Sequence, residues 1–237
     1  MIPYRDENPT SSRAWVTGLL IVANAAVFLH MQMGAHFDAQ LCYWGLIPAR
    51  VTGAVTHWSK AGLCRPPFAP AHLTLLTHMF VHGGWLHLGG NMLFLWIFGN
   101  NIEDALGHFR FIVFYFVCGL TAVFFQILAD PTSVVPMVGA SGAIAGVLGA
   151  DVILFPTAWV HVLLPIFVFL WPVRIPAVLL LLFWFAMQVL AGLVSARMHL
   201  AGGVAWYAHV GGFVAGVLLI LLIPKRAGWR RLRRPVR

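Results

Sequence analysis

Apolar runs of membrane length, broken by short polar stretches, set the pattern of this chain. A polar lead, Met1 to Arg13, precedes a first run from Trp15 to Met31. Residues Met33 to Trp85 are mixed polar, Pro and aromatic, with a Pro66-Pro67 break. So long a connection is expected to fold on or in the membrane surface, with Trp44, Trp58 and Trp85 at the interface. A second run, Leu86 to Phe98, is short and holds His87 and Asn91, polar groups that are costly in a bilayer and therefore functional candidates. The pattern then predicts a compact turn over Asn100 to Arg110, a third span over Phe111 to Ala129, and a fourth helix from Ser141 to Phe155.

Small residues give the fourth and last runs a flat face. Gly142, Gly146 and Gly149 recur at spacings of four and three, and Gly212 and Gly216 lie four apart, so two backbones can approach closely. Such an approach brings Ser141 within reach of His209, each near the start of its run. A serine hydroxyl is a weak nucleophile until an adjacent imidazole takes its proton. His87 and Asn91, at i and i+4 on one helix face, can both donate to a point near the serine. Together with the Ser141 amide they suit the oxyanion of a tetrahedral intermediate.

Parity decides the span count. The stretch from Asp151 to Val194 is apolar but interrupted by Pro156, Pro165, Pro172, Arg174 and Pro176, and fits one span or two. Ser141 and His209 meet near one surface only if their helices run the same way, which requires one span between them. Ile175 to Val194 is therefore assigned as the fifth span and Thr157 to Trp171 as a segment at the cytoplasmic interface. Ser195 to Val204 becomes an outer loop whose Gly202-Gly203 suits a lid, and His209 to Ile223 most of the sixth span. Basic residues agree: Arg5, Arg13, Arg110, Arg174 and the tail fall inside, against Arg50, Lys60, Arg65 and Arg197 outside. The expected organisation is a cytoplasmic lead over 1–14, a six-helix membrane domain over 15–224 and a basic cytoplasmic tail over 225–237.

Composition narrows the function. With 60% hydrophobic and 9% charged residues, the chain is far from a soluble domain. The formal charge of +8 does not imply nucleic acid, because seven of the 15 basic residues lie between Lys225 and Arg237, directly after an apolar run. That cluster suits anionic lipid headgroups, so membrane lipids are expected partners and nucleic acid is not. Cys42 and Cys64 share the first outer loop, where a single disulfide and two free thiols both fit. The first apolar run is read as a retained helix, since no small-x-small cleavage site closes it. His78, His82 and His87 lack an acidic or cysteine co-ligand and no His-Glu-x-x-His occurs, so neither metal nor other cofactor is expected. A transporter's inverted repeat is not visible either.

Four stretches in order resemble the rhomboid family of intramembrane serine proteases: His82-Gly-Gly-Trp-Leu-His87-Leu-Gly-Gly-Asn91, Phe98-Gly99-Asn100-Asn101-Ile102-Glu103-Asp104, Gly139-Ala140-Ser141-Gly142, and Ala208-His209-Val210-Gly211-Gly212 with Gly216. The resemblance covers about Thr77 to Leu219. It implies an all-α integral membrane fold, a rhomboid-like six-transmembrane-helix bundle with a long structured first outer loop. It further implies Ser141 as nucleophile, His209 as general base and acid, and His87, Asn91 and the Ser141 amide as oxyanion donors. His82 would support the first loop and Glu103 would tie down the cytoplasmic turn. Implied substrates are transmembrane segments of membrane proteins, cut near the outer face, and the implied setting is a bacterial inner membrane with both termini cytoplasmic. The implied dyad has no third carboxylate, and Asp151, about 15 Å along the helix from Ser141, is too far to orient His209.

The chain departs from the family pattern in three places. The Trp-Arg pair of the first loop is absent, with Leu73-Thr74 in its region. Ala145 stands where many members place an aromatic ring against the catalytic histidine, and Asp151 where a tyrosine is frequent. The competing reading is an inactive rhomboid-like protein that binds transmembrane clients without cutting them.

Overall fold

The computed structural model describes residues 1–55, 64–198, 204–227 and 229. It is mostly helical: α1 (Trp15–Met33), α2 (Phe37–Trp44), α3 (Pro48–Val51), α4 (Ala71–Thr77), α5 (Trp85–Leu106), α6 (His108–Ala129), α7 (Ser141–Leu154), α8 (Ala177–Met198) and α9 (Trp206–Leu222). Among the described residues, α1, α6 and α8 are long and apolar enough to cross a membrane, while α7 and α9 are shorter apolar helices.

The centre of the bundle is α7, buried from Ala143 through Asp151. Its small residues permit this. A Cβ on Gly142 would lie 2.6 Å from Cβ of Ala122, and one on Gly146 2.5 Å from Cβ of Cys118, so α6 runs antiparallel against one side. On another side a Cβ on Gly212 or Gly216 would overlap the carbonyl oxygen of Gly142 or Gly146. Both pairs advance by four, so α7 and α9 run in parallel. Between them α8 runs back: Gln188 bonds His209, and the Tyr207 hydroxyl donates to the Gly192 carbonyl at 3.3 Å. One returning helix thus separates the serine and histidine helices, as parity requires.

The chain is not all-α. Strands β1 (Ile2–Asp6), β2 (Trp159–Ile166) and β3 (Phe169–Pro176) form an antiparallel sheet in the order β1-β2-β3. The interfacial segment expected over Thr157 to Trp171 is therefore most of a hairpin, and the polar lead supplies its third strand. Val160 and Val162 alternate inward with the period of two that a strand needs, and Pro165, Pro172 and Pro176 bar a helix. Pro172 sits on the outer strand and Pro165 lies past the end of the β1 pairing, so their missing N–H groups break no inner ladder. Because β3 extends to Pro176, the fifth apolar helix starts at Ala177 instead of Ile175.

The second apolar helix is also longer than expected. It continues through the predicted turn to Leu106, and the break is confined to Gly107, whose φ of 81° favours glycine. Its polar end stays helical because other elements satisfy it. Asn101 donates to Asp6 at 2.7 Å and to Asp151 at 3.2 Å, Asp104 accepts from the Ser12 amide at 2.9 Å, and the Arg226 amide donates to the Ala105 carbonyl at 2.8 Å. N-terminal lead, hairpin and start of the tail therefore gather at one end of the bundle.

At the other end the first loop is folded. A Cys42–Cys64 disulfide closes it, and Arg50 donates to the Ala69 carbonyl at 2.7 Å. Leu46 pairs with Met137, and the Gly139 amide donates to the His78 carbonyl at 2.8 Å, so the loop grips the approach to Ser141. Trp58 and Lys60, the Gly202-Gly203 pair expected to suit a lid and most of the basic tail lie outside the described residues.

Candidate active site

Ser141 opens α7, where the first amides of the helix have no carbonyl partner within it. Gly139 just before it has a φ of 116°, a conformation that a side chain would strain. His209 is the fourth residue of α9, one turn in. The glycine contacts between α7 and α9 set these two residues side by side, and His209 Nε2 lies 2.8 Å from Ser141 Oγ. The serine hydroxyl thus has an imidazole nitrogen in direct hydrogen-bond contact.

His87 and Asn91 lie on the first turns of α5 and face the same place. A Cβ on Gly139 would meet His87 Nε2 at 2.7 Å and Asn91 Nδ2 at 3.4 Å, so the absent side chain of Gly139 keeps that space open. The Gly83 amide donates to His87 Nδ1 at 3.3 Å. In a neutral imidazole this puts the remaining proton on Nε2, the nitrogen turned toward Gly139. Asn91 is 8% exposed and its Nδ2 finds no partner among the described residues. A buried amide left unpaired costs free energy unless something else takes its hydrogen bond. Two polar side chains and the first residues of α7 therefore face one space beside the Ser141 hydroxyl.

These residues line a cavity of about 1340 Å³, bounded also by Met79, Trp85, Gln126, Trp184 and Trp206. His82 is buried behind it. Its Nδ1 faces the Phe80 carbonyl at 3.3 Å and its ring centroid is 5.1 Å from that of His87, so it backs the donor. Glu103 stands apart from the cavity and caps another helix. Its carboxylate accepts from the Val16 amide at 2.9 Å and from the Thr17 amide and hydroxyl at 2.8 and 2.7 Å.

Three residues around His209 escaped the sequence reading. Gln188 on α8 places Oε1 2.7 Å from His209 Nδ1, and Trp184, one turn earlier, packs its ring 5.8 Å from the imidazole. Trp206 closes the other edge at 6.3 Å. The aromatic neighbour that Ala145 cannot supply from α7 comes from α8 and α9. A lone amide inside a long apolar helix is itself a signal, and Gln188 carried it.

Residues 70–226 match the Rhomboid domain family. The chain is 27% identical over 255 residues to RHOMBOID-like protein 6, mitochondrial, of Arabidopsis thaliana, covering 94% of this chain and 74% of that protein. It is 33% identical over 180 residues to Rhomboid protein 1, mitochondrial, of Saccharomyces cerevisiae, covering 74% of this chain and 49% of the other. Over 146 residues it is 33% identical to Rhomboid-like protease 5 of Toxoplasma gondii, covering 59% of this chain and 15% of that protein. The mitochondrial labels lend no support to a bacterial inner membrane.

Proposed function

This chain belongs to the rhomboid family, and we propose that it is an intramembrane serine endopeptidase that cleaves transmembrane segments of membrane proteins near the outer face of the bilayer. The observation that carries the reading is the 2.8 Å contact between Ser141 Oγ and His209 Nε2, beside a space that His87 Nε2 and the unpartnered Asn91 Nδ2 both face. In this reading α1, α5, α6, α7, α8 and α9 are six spans, with the sheet and both termini on the cytoplasmic side. The 14 residues of α7 rise only about 21 Å, less than the roughly 30 Å of hydrocarbon. Ser141 is then submerged below the outer surface, and the cavity above it supplies water.

A substrate helix satisfies its own backbone in lipid, so the segment to be cut must unwind to expose a carbonyl, and helix-weakening residues favour it. Ser141 Oγ attacks the carbonyl carbon as its proton passes to His209 Nε2. The C=O electron pair moves onto oxygen, and the oxyanion accepts from His87 Nε2, Asn91 Nδ2 and the Ser141 amide, each worth about 3 kcal/mol. The C–N bond breaks as His209 returns the proton to the leaving amine. Water then attacks the acyl-enzyme with His209 again as base, and the new carboxyl end and free Ser141 are restored.

Labelling of purified, detergent-solubilised protein with a fluorescent fluorophosphonate tests the proposal. Wild type is expected to label, and Ser141→Ala and His209→Ala to remain dark. If wild type stays unlabelled beside an active rhomboid, the chain is instead a family member that binds transmembrane clients without cutting them.

A further inference from the structure

We infer that Gln188 is a positioning residue that holds His209 in the one tautomer able to activate Ser141, an inference that rests on the proposed serine-hydrolase reading. Gln188 is 8% exposed, on the inner face of α8, with Oε1 2.7 Å from His209 Nδ1. An amide oxygen only accepts, so Nδ1 must carry the hydrogen. A neutral imidazole has a single N–H, which leaves Nε2 with a bare lone pair, 2.8 Å from Ser141 Oγ. That is the arrangement in which the histidine can take the serine proton.

The opposite tautomer would put a hydrogen on Nε2, facing the hydroxyl, and would leave two lone pairs opposed at Gln188. Among the described residues no carboxylate bonds the His209 ring in place of the amide. Asp151 accepts from Asn101 at 3.2 Å, at the far end of α7. Trp184, four residues before Gln188 and so on the same face of α8, lies 5.8 Å from the imidazole centroid at an interplanar angle of 38°. One helix therefore restrains both the face of the ring and its distal nitrogen. When Nε2 gains the proton during reaction, the Nδ1–H to Gln188 bond is kept, so no buried polar group is stranded along the path. A neutral acceptor does not balance the imidazolium charge as a carboxylate would, so the expected effect is one of orientation and of moderate size.

The test uses the full chain with Gln188→Leu, which keeps the volume but removes the acceptor, and Gln188→Glu, which restores it. Gln188→Leu is expected to slow fluorophosphonate labelling and lower kcat on a transmembrane substrate about tenfold with KM unchanged. Gln188→Glu should recover most of that loss, which a purely structural role would not explain. Without relying on any Gln188 variant, 15N-histidine NMR of the wild type, with the His209 signal identified by its absence in His209→Ala, should show the proton on Nδ1. Rates for Gln188→Leu equal to wild type, or a resting His209 protonated on Nε2, would overturn the inference. An unlabelled wild type whose His209 is nevertheless protonated on Nδ1 would refute the protease reading while leaving the Gln188 hydrogen bond standing.

Discussion

Gly216 of α9 rests on the carbonyl oxygen of Gly146 in α7, and a Cβ on Gly216 would overlap that oxygen. Behind Gly146 there is no slack either, since a Cβ there would meet Cys118 at 2.5 Å. The distance between Ser141 and His209 is thus set two turns away from the chemistry, by backbone touching backbone.

Gly216→Ala should therefore push α9 outward, costing about 1–3 kcal/mol of stability. A displacement of about 1 Å at the reacting atoms should cost a further hundredfold in labelling rate. Gly18, whose added Cβ would meet nothing within 4 Å, provides the control. Gly18→Ala, inside helix α1, should leave labelling unchanged and should hold or slightly raise the unfolding temperature in detergent.

Asn91 separates an oxyanion donor from a packing contact. Its Nδ2 is buried without a partner among the described residues, so Asn91→Ala removes a donor that bonds none of them. Stability should stay level or rise, while kcat falls roughly a hundredfold or more. A drop in unfolding temperature with unchanged kcat would mean that Asn91 serves packing alone.

Glu103 caps a helix that begins 88 residues before it. The start of α1 has no side-chain cap of its own, and the buried carboxylate takes the Val16 and Thr17 amides instead. Glu103→Ala should destabilise the protein by about 3 kcal/mol, since two amides and a hydroxyl lose a charged acceptor. Labelling per folded molecule should be preserved, because this carboxylate is remote from Ser141. A loss of labelling without loss of stability would contradict the assignment.

The sheet should loosen in acid. Glu7, just past β1, is held below its ordinary carboxylate value first by a hydrogen bond from His161 of β2, at 2.7 Å. A carboxylate with a depressed folded pKa stabilises the fold above its unfolded value and loses that contribution as pH falls through the folded one. Hydrogen-exchange protection of the β1–β2 amides, corrected for intrinsic rates, should decline below the ordinary value of 4.5. His161→Ala should lower protection at neutral pH and flatten the decline. Equal acid sensitivity in the variant would assign the effect elsewhere.

Much of the site was readable before any coordinates. The spacing of Gly142, Gly146, Gly212 and Gly216 marks two faces that can touch, the i and i+4 placement of His87 and Asn91 marks a shared face, and parity demands a single returning helix. All of these are local periodicities, which a linear sequence carries directly. The sequence also contains polar groups that need partners, among them Asn101, Glu103 and Gln188, although its pattern did not single out Gln188. It does not say where each finds its partner. Glu103 is answered by the start of α1, Asn101 by Asp6 and Asp151, and Gln188 by a histidine 21 residues on. For that reason α5 outlasts its apolar run, and the apolar segment after α7 becomes a hairpin once β1 pairs with it. Sequence determined which helix faces can meet and which polar residues they bring together. Tertiary structure decided which polar groups satisfy one another, because a hydrogen bond depends on position in space and separation along the chain does not encode it.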